Sequence, residues 1–371
     1  MTQAPRKVLV VATQRIGDVL LTTPLIRSLH RAWPEARIDV LVFENTGGVL
    51  AGNPDVHRVI TVPTRGKFWS HLRMLVSLFR RYDLAVTTQT GDRPVLYAWL
   101  AGRRRAGLRP PRKKERWKTR LLTYLAPLDG LNTHTVLMNL AIADLLMIPR
   151  HHEVVASWNS ADEASLGTEL PFDSRTQAFV LLHVYPKFPY KMWTRQGWIE
   201  LADWLHAQGL RIVLSGSNET EELAYVQELA AHLPPDTVNI AGKWNLGQVA
   251  CLAKRARLYV GPDTALTHIA AALGTPTVAL YGPSNPVKWG PWPAHYHDQH
   301  NPYSMHGSQQ VGNVFLVQGP GECVPCREEG CDRHIRSLSD CLQNLQASTV
   351  INAARCMLAA SNDSNRVRVP C

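Results

Sequence analysis

The sequence predicts an α/β protein made of two domains, each around a parallel sheet. Three observations predict it. Short apolar, β-branched runs alternate with helical patterns in both halves of the chain. The alternation pauses over a polar, poorly periodic stretch at 150–175 and then restarts. At 371 residues the chain is long for one domain and natural for two. Strands that alternate with helices imply right-handed crossovers between parallel neighbours.

The elements follow in order. Val8 to Ala12 reads as a first buried strand, Gln14 to Asp18 as a polar turn, and Leu20, Leu21, Leu25, Ile26 and Leu29 as the apolar stripe of one amphipathic helix. RIDVLVF (37–43), RVITV (58–62) and DLAVTT (83–88) read as strands, separated by helical patterns near 67–81 and 93–101. A further helix at 133–147 stops before Pro149. The domain boundary is placed near 170. This gives an N-terminal domain at 1–170, a C-terminal domain at 171–345, and a C-terminal helix and tail at 346–371. The second domain opens with QAFVLLHV (177–184), a helix near 195–208 and the strand LRIVLSG (210–216). Helices near 219–232 and 246–254 lead to the strand RLYV (257–260). No short internal repeat is evident.

The stretch GPDTALTHIAAALGTPTVALYGPSNP (261–286) reads as loop, helix, strand and loop. Gly261 and Pro262 break the preceding strand, and Asp263 sits where an N-cap belongs. Ala265 to Leu273 forms the helix, which Gly274 ends, with Pro276 beyond it. Thr277 to Tyr281 then runs into Gly282, Pro283, Ser284 and Asn285. In an open parallel sheet such loops lie at the carboxyl ends of strands, where ligands bind. A helix N-terminus beside Thr264 suits a phosphate. The first unit has a similar junction. Gly17 and Asp18 lie between strand and helix, without the three glycines of a dinucleotide fingerprint. Asp18 is either a helix cap or a carboxylate at the mouth of the sheet, placed to act as a general base. Lys187 and Lys191 follow the strand ending at Val184, where a lysine can reach a diphosphate as a point charge.

The net charge is +10, and residues 103–120 carry ten basic residues against Glu115 alone, so that one segment holds +9 of it. It reads as a solvated loop, or as a patch for anionic lipid headgroups, for a phosphorylated acceptor or for nucleic acid. Trp117 is its only aromatic residue, which argues against base stacking. Four of the seven cysteines cluster as Cys323, Cys326, Cys331 and Cys341, and Cys251, Cys356 and Cys371 stand alone. Four thiols at that density suggest a structural zinc site, with reduced thiols or a redox pair as alternatives. No apolar run approaches the roughly 20 residues that span a bilayer. The first apolar run is too short for a secretory signal, so the expected location is the cytoplasm.

Ile16-Gly17-Asp18-Val19, Lys191-Met192-Trp193 and Asp263-Thr264-Ala265 with His268 together resemble the signature of glycosyltransferase family nine, the ADP-heptose:lipopolysaccharide heptosyltransferases. The family usually has glycine where this chain has Ala265. The resemblance covers essentially the whole chain and implies GT-B architecture, two Rossmann-like domains with parallel sheets facing across a cleft. It implies an inverting transferase with Asp18 as base and with Gly17, Arg103, Arg104 and Arg105 on the acceptor side. The donor nucleotide sugar would lie on Lys191, Ser215, Gly216, Asp263, Thr264, Ala265, His268 and Ser284. An acidic residue would hold the ribose; Glu219 and Glu221 are both candidates, with Glu221 preferred. Residues near Gly242 and Lys243 would approach the adenine. The implied partners are ADP-heptose, the inner core of lipopolysaccharide and an anionic membrane surface at the cytoplasmic face, not nucleic acid. No metal is required for catalysis. Two other readings stay open: a nucleotide-sugar epimerase of the same architecture, and a basic nucleic-acid-binding protein.

Overall fold

The structure, a computed structural model, describes residues 4–63, 74–110 and 113–362. Part of the helical pattern at 67–81, Pro111 and Arg112 of the basic run, and Cys371 lie outside the described residues. The chain divides into two compact units. One runs to Ser157 and includes His297–Asn301; the other takes Trp158–Tyr296 and the chain from Pro302 onward.

The first unit holds a six-stranded sheet of β1 (Lys7–Val11), β2 (Arg37–Phe43), β3 (Arg58–Val62), β4 (Tyr82–Thr87), β5 (Gly102–Leu108) and β6 (Tyr124–Ala126). The strand order is β3-β2-β1-β4-β5-β6, with every pairing parallel. Val8 to Val11 are fully buried, as expected of a central strand covered on both faces. The single helix expected after β1 is two: α1 (Ile16–Leu20) and α2 (Thr23–Ala32). Pro24 explains the break, since it lacks an N–H and is tolerated only in a helix's first turn. Arg103 to Arg105 are not in a loop. They open β5, where Leu84 pairs with Arg104 and Ala85 with Arg105. Two further α-helices, α3 (Asp92–Ala101) and α4 (Thr135–Leu145), and two 3-10 turns, Gly47–Leu50 and Lys113–Leu121, complete the described helices of this unit outside 74–78.

In the second unit β7 (Phe179–His183), β8 (Arg211–Ser215), β9 (Val238–Asn239), β10 (Leu258–Pro262), β11 (Thr277–Tyr281), β12 (Gln309–Val311) and β13 (Val314–Gln318) form one sheet. Its order is β12-β13-β11-β10-β7-β8-β9, and only the β12–β13 pair is antiparallel. The unit begins earlier than residue 170. The helix α5 (Ser160–Glu169), closed by an Asn159–Asp162 capping box, packs on α8 (Leu246–Arg255). Asp162 accepts a hydrogen bond from the Asn245 amide at 2.9 Å, and Glu163 pairs with Arg255 at 2.7 Å. The polar sequence at 150–175 hid this helix because most of it faces solvent. Four more helices matter below: α6 (Arg195–Ala207), α7 (Thr220–Ala230), α9 (Ala265–Ala272) and α10 (Ala347–Asn362). The last is part of this unit. Val350, Ala353, Ala354 and Met357, at helical spacing, share one buried cluster with Leu201 and Leu205 of α6.

Candidate active site

Each sheet has one place where the strand order reverses, and candidate residues collect there. In the first unit the reversal lies between β1 and β4. Across it the Thr13 hydroxyl donates to the Gln89 side-chain oxygen at 3.0 Å. Gly17 and Asp18 follow the carboxyl end of β1, and both are half-buried. Asp18 is not the cap. Arg15 holds the N-cap position with extended backbone, and Asp18 lies in the first turn of α1. There its charge suits the positive end of the helix. Arg103 to Arg105 are not brought to it. Arg104 is in register with Leu84 and Leu84 with Val8, at the amino ends of the strands. Asp18 follows the opposite ends. Alternation along β5 points these side chains to either face rather than toward one site.

In the second unit the reversal lies between β7 and β10, and loops after β7, β8, β10 and β11 meet around it. The centre is Asp263. Its Oδ2 accepts from Lys191 Nζ at 2.5 Å and from the Ser284 hydroxyl at 2.7 Å. The Tyr281 hydroxyl lies 3.3 Å from Oδ1 and donates to the Trp289 carbonyl at 2.6 Å. His268 Nε2 is 3.7 Å from Oδ1. Burial opposes the Asp263 charge, but Lys191 and His268 override it and hold the carboxyl well below its usual range. Thus Asp263 does not cap the following helix. Thr264 holds the N-cap position of α9, and its side chain makes no capping hydrogen bond. The backbone N–H groups of that turn, beside Thr264 and Ala265, point away from the helix and suit an anion. His268 is buried one turn further on, and its Nδ1 has no hydrogen-bond partner among the described residues.

Gly261 and Pro262 do not break the strand but end it, inside β10. A Cβ at Gly261 would lie 2.3 Å from the hydroxyl of Tyr259, which is wholly buried and bonded to Thr267 at 2.9 Å. β10 runs through Gly261 and Pro262, paired on one side with Ala279 and Leu280. Pairing to β7 stops at Val260, so the missing N–H of Pro262 disrupts no ladder bond on that side.

After β8 the structure separates the candidate residues by burial. Ser215 is buried, and its hydroxyl donates to the Leu182 carbonyl at 3.2 Å, which ties β8 to β7. The acidic residue that faces the strand ends is Glu222, not Glu221. Glu222, Val226 and Leu229 form the inward face of α7, whereas Glu221 is exposed. Glu219 is exposed as well, at the N-cap position of that helix. Ser217 donates to Glu222 Oε2, and the buried Oε1 has no hydrogen-bond partner among the described residues. Gly216 keeps this carboxylate close, since a Cβ there would meet Glu222 Oε1 at 3.0 Å and Ala241 at 2.9 Å. Gly242 packs beside it in left-handed conformation, with φ of 71° and its N–H on the Gly216 carbonyl at 3.1 Å. Helical phase from the apolar residues at 226 and 229 was the signal for Glu222. Lys187 and Lys243 are exposed, and Lys243 bonds back to the Asn239 carbonyl at 2.8 Å.

The four clustered cysteines sit in two different surroundings. Among the described residues no group of three or more His, Cys, Asp or Glu side chains is arranged to hold a metal. Cys323 and Cys331 are exposed, while Cys341 is buried in the core of the unit. Burial, then the neighbouring Cys326, Cys331 and Cys323 thiols, pushes the Cys341 thiol up to about 12. Alkylation at pH 8 is therefore expected to modify Cys323 and Cys331 quickly and Cys341 only on unfolding. Metal analysis of the purified chain should find well below one zinc per molecule. Stoichiometric zinc together with protection of Cys323 and Cys331 would overturn this.

The description of glycosyltransferase family 9 (heptosyltransferase) matches residues 72–312. Lipopolysaccharide heptosyltransferase 3 of Escherichia coli is 29% identical over 291 residues, covering 74% of this chain and 83% of that protein. Lipopolysaccharide heptosyltransferase 1 of Pseudomonas aeruginosa is 29% identical over 346 residues, 88% of this chain and 87% of that one. The fold is shared with E. coli ADP-heptose lipopolysaccharide heptosyltransferase II, at a TM-score of 0.75 and 22% identity over 96% of this chain and 99% of that one. It is also shared with E. coli heptosyltransferase WaaC with ADP, at a TM-score of 0.72 and 21% identity over 94% and 99%. The match covers well over half of the sequence, and the chain belongs to glycosyltransferase family 9, the heptosyltransferases.

Proposed function

We propose that this protein is an inverting glycosyltransferase that moves a heptose from ADP-heptose to the inner core of lipopolysaccharide. The observation that carries the reading is the largely buried Lys191–Asp263–Ser284 cluster at the strand-order reversal of the second unit, set against the start of α9. The relatives of the chain bear the names of lipopolysaccharide heptosyltransferases, and one solved neighbour holds ADP.

The roles follow from chemistry. Lys191, held by Asp263, and the backbone N–H groups at Thr264 and Ala265 take the diphosphate. His268 and Ser284 flank it. Glu222, with an oxygen left unbonded, accepts from the ribose hydroxyls, and Gly216 and Gly242 let the nucleoside approach closely. Asp18 removes the proton from an acceptor hydroxyl while that oxygen bonds the anomeric carbon. The bond from that carbon to the β-phosphate oxygen breaks, and its electron pair leaves with ADP. Attack from the face opposite the leaving group inverts the centre. An oxocarbenium-like transition state is shared with glycoside hydrolysis, and fixed donors around the departing phosphate stabilise its growing charge. The acceptor is an anionic, lipid-linked saccharide at the cytoplasmic membrane face.

A panel of nucleotide sugars tests this by thermal unfolding. ADP-heptose at 100 times its dissociation constant should add about 2.7 kcal/mol. Stabilisation by a uridine or guanosine diphosphate sugar instead would overturn the donor assignment. Within that assay Glu222→Ala should weaken ADP affinity by about 1.5–3 kcal/mol, as for a charged hydrogen bond. Glu221→Ala, on the exposed side of α7, should change it by less than about 0.5 kcal/mol. The reverse ranking would remove Glu222 from the site.

A further inference from the structure

The first unit carries an apolar surface that the reaction does not use. Val76 is 69% exposed, Phe79 58%, Leu96 42% and Trp99 38%. They lie on two neighbouring segments. Leu78 on one side and Tyr97, Ala98 and Ala101 of α3 on the other share one buried cluster against the sheet. The Arg80 N–H bonds the Leu100 carbonyl at 3.0 Å. The inward positions of both segments are therefore taken, and Val76, Phe79, Leu96 and Trp99 are what the layer turns outward. A solvent-facing stripe on a helix is normally charged. Here Arg93, Leu96 and Trp99 form it, at spacing i, i+3, i+6.

The charge around these side chains is one-sided. Residues 74–81 and 93–109 contain seven arginines and no acidic residue, and the exposed Asp92 that begins α3 is neutralised by Lys118 at 2.7 Å. Arg80, Arg81, Arg93 and Arg103 are exposed. The Arg105 guanidinium, lowered first by burial, is lowered further by the charge of Arg80, so the two cations stand together. The other exposed apolar pair of note differs. Ile335 and Leu338 sit in a segment where Arg327, Arg333 and Arg336 are matched by Glu328, Glu329 and Asp332.

We infer that the outer face of the 74–80 segment and α3 docks on a bilayer surface rich in anionic lipid. Phe79 and Trp99 enter the interfacial region with Val76 and Leu96 beside them, and the arginines contact headgroup phosphates. Exposed apolar side chains distinguish this face from a nucleic-acid patch, which needs cations and stacking but no aliphatic wedge. The inference deepens the lipid-linked acceptor proposed above, but docking is measured without turnover, so either reading can fail alone.

Sedimentation of the full chain with phosphatidylglycerol-containing vesicles, against pure phosphatidylcholine vesicles, tests it. Binding to the anionic vesicles should fall with added salt. Arg80→Gln with Arg81→Gln and Arg93→Gln should lower partitioning about fivefold per charge, on the order of 100-fold together. Phe79→Ser with Trp99→Ser should lower it at every salt concentration. Arg327→Gln with Arg333→Gln and Arg336→Gln is the control and should leave it within twofold. Unchanged thermal unfolding of the variants separates lost docking from lost folding. Equal binding by the arginine variant and the control, or failure of the parent chain to bind anionic vesicles, would overturn the inference. So would salt-sensitive binding to duplex nucleic acid that ignores Phe79→Ser with Trp99→Ser while vesicles are not bound.

Discussion

Asp18→Asn is expected to lower turnover by about 10²–10⁴-fold while leaving ADP-heptose affinity nearly unchanged. The substitution keeps size and hydrogen-bonding shape and removes the proton acceptor. It does not remove a helix cap, because Arg15 holds that position. The Thr22 hydroxyl bonds the Asp18 backbone carbonyl at 2.9 Å, a contact that Asn preserves. The loss of a negative charge near the start of α1 should cost only about 0.3–1 kcal/mol of stability. Single-turnover kinetics with saturating donor and acceptor, alongside calorimetric ADP-heptose binding, separate the two effects. Full activity in the variant would reduce Asp18 to a first-turn carboxylate.

The second large effect lies at Asp263. We expect Asp263→Ala to destabilise the chain by about 3–5 kcal/mol, because it leaves Lys191 without its partner in a largely buried site. Asp263→Asn is the milder probe of positioning. If Asp263 works by aiming Lys191, then Asp263→Asn and Lys191→Met should each weaken ADP by about 1.5–3 kcal/mol, and the double variant by little more than one of them. Purely additive losses would mean that the two act separately. The pH dependence gives an independent sign. The Asp263 carboxyl is held below its unfolded value, which is about 3.9. Its stabilisation is therefore fully present above that pH and is lost as pH falls toward the folded value. The parent's stability advantage over Asp263→Asn should shrink below about pH 4 and stay constant from pH 5 to 8.

Much of this was legible in the sequence because the central strands are unbroken apolar runs. Arg37–Phe43 and Thr277–Tyr281 coincide with their expected strands, as does the less buried edge strand Arg58–Val62. A parallel strand buried on both faces has no polar alternation to confuse the reading. β5 escaped for the opposite reason. Three arginines at its amino end read as a loop, although Ala106 to Leu108 are buried and the arginines need only carry their charges to the edge. β6 and β9, of 3 and 2 residues, are too short to show a period. Among the candidates, Asp263 was legible because it directly follows a strong strand, and Asp18 and Lys191 because each lies in the segment that leads on from one. Glu222 was missed because its identity depends on helical phase, which places it inward and Glu221 outward. Asp263 was read as a cap because composition cannot show a carboxylate turning from its own helix to a lysine 72 residues away.

Transfer itself is the most direct test. The chain should be incubated with ADP-heptose and lipopolysaccharide that lacks inner-core heptose, with ADP release and acceptor mass followed together. The account predicts ADP release only when acceptor is present, one heptose added per acceptor, and the opposite anomeric configuration in the product. Consumption of ADP-heptose without acceptor, or a product that retains the donor's configuration, would contradict it.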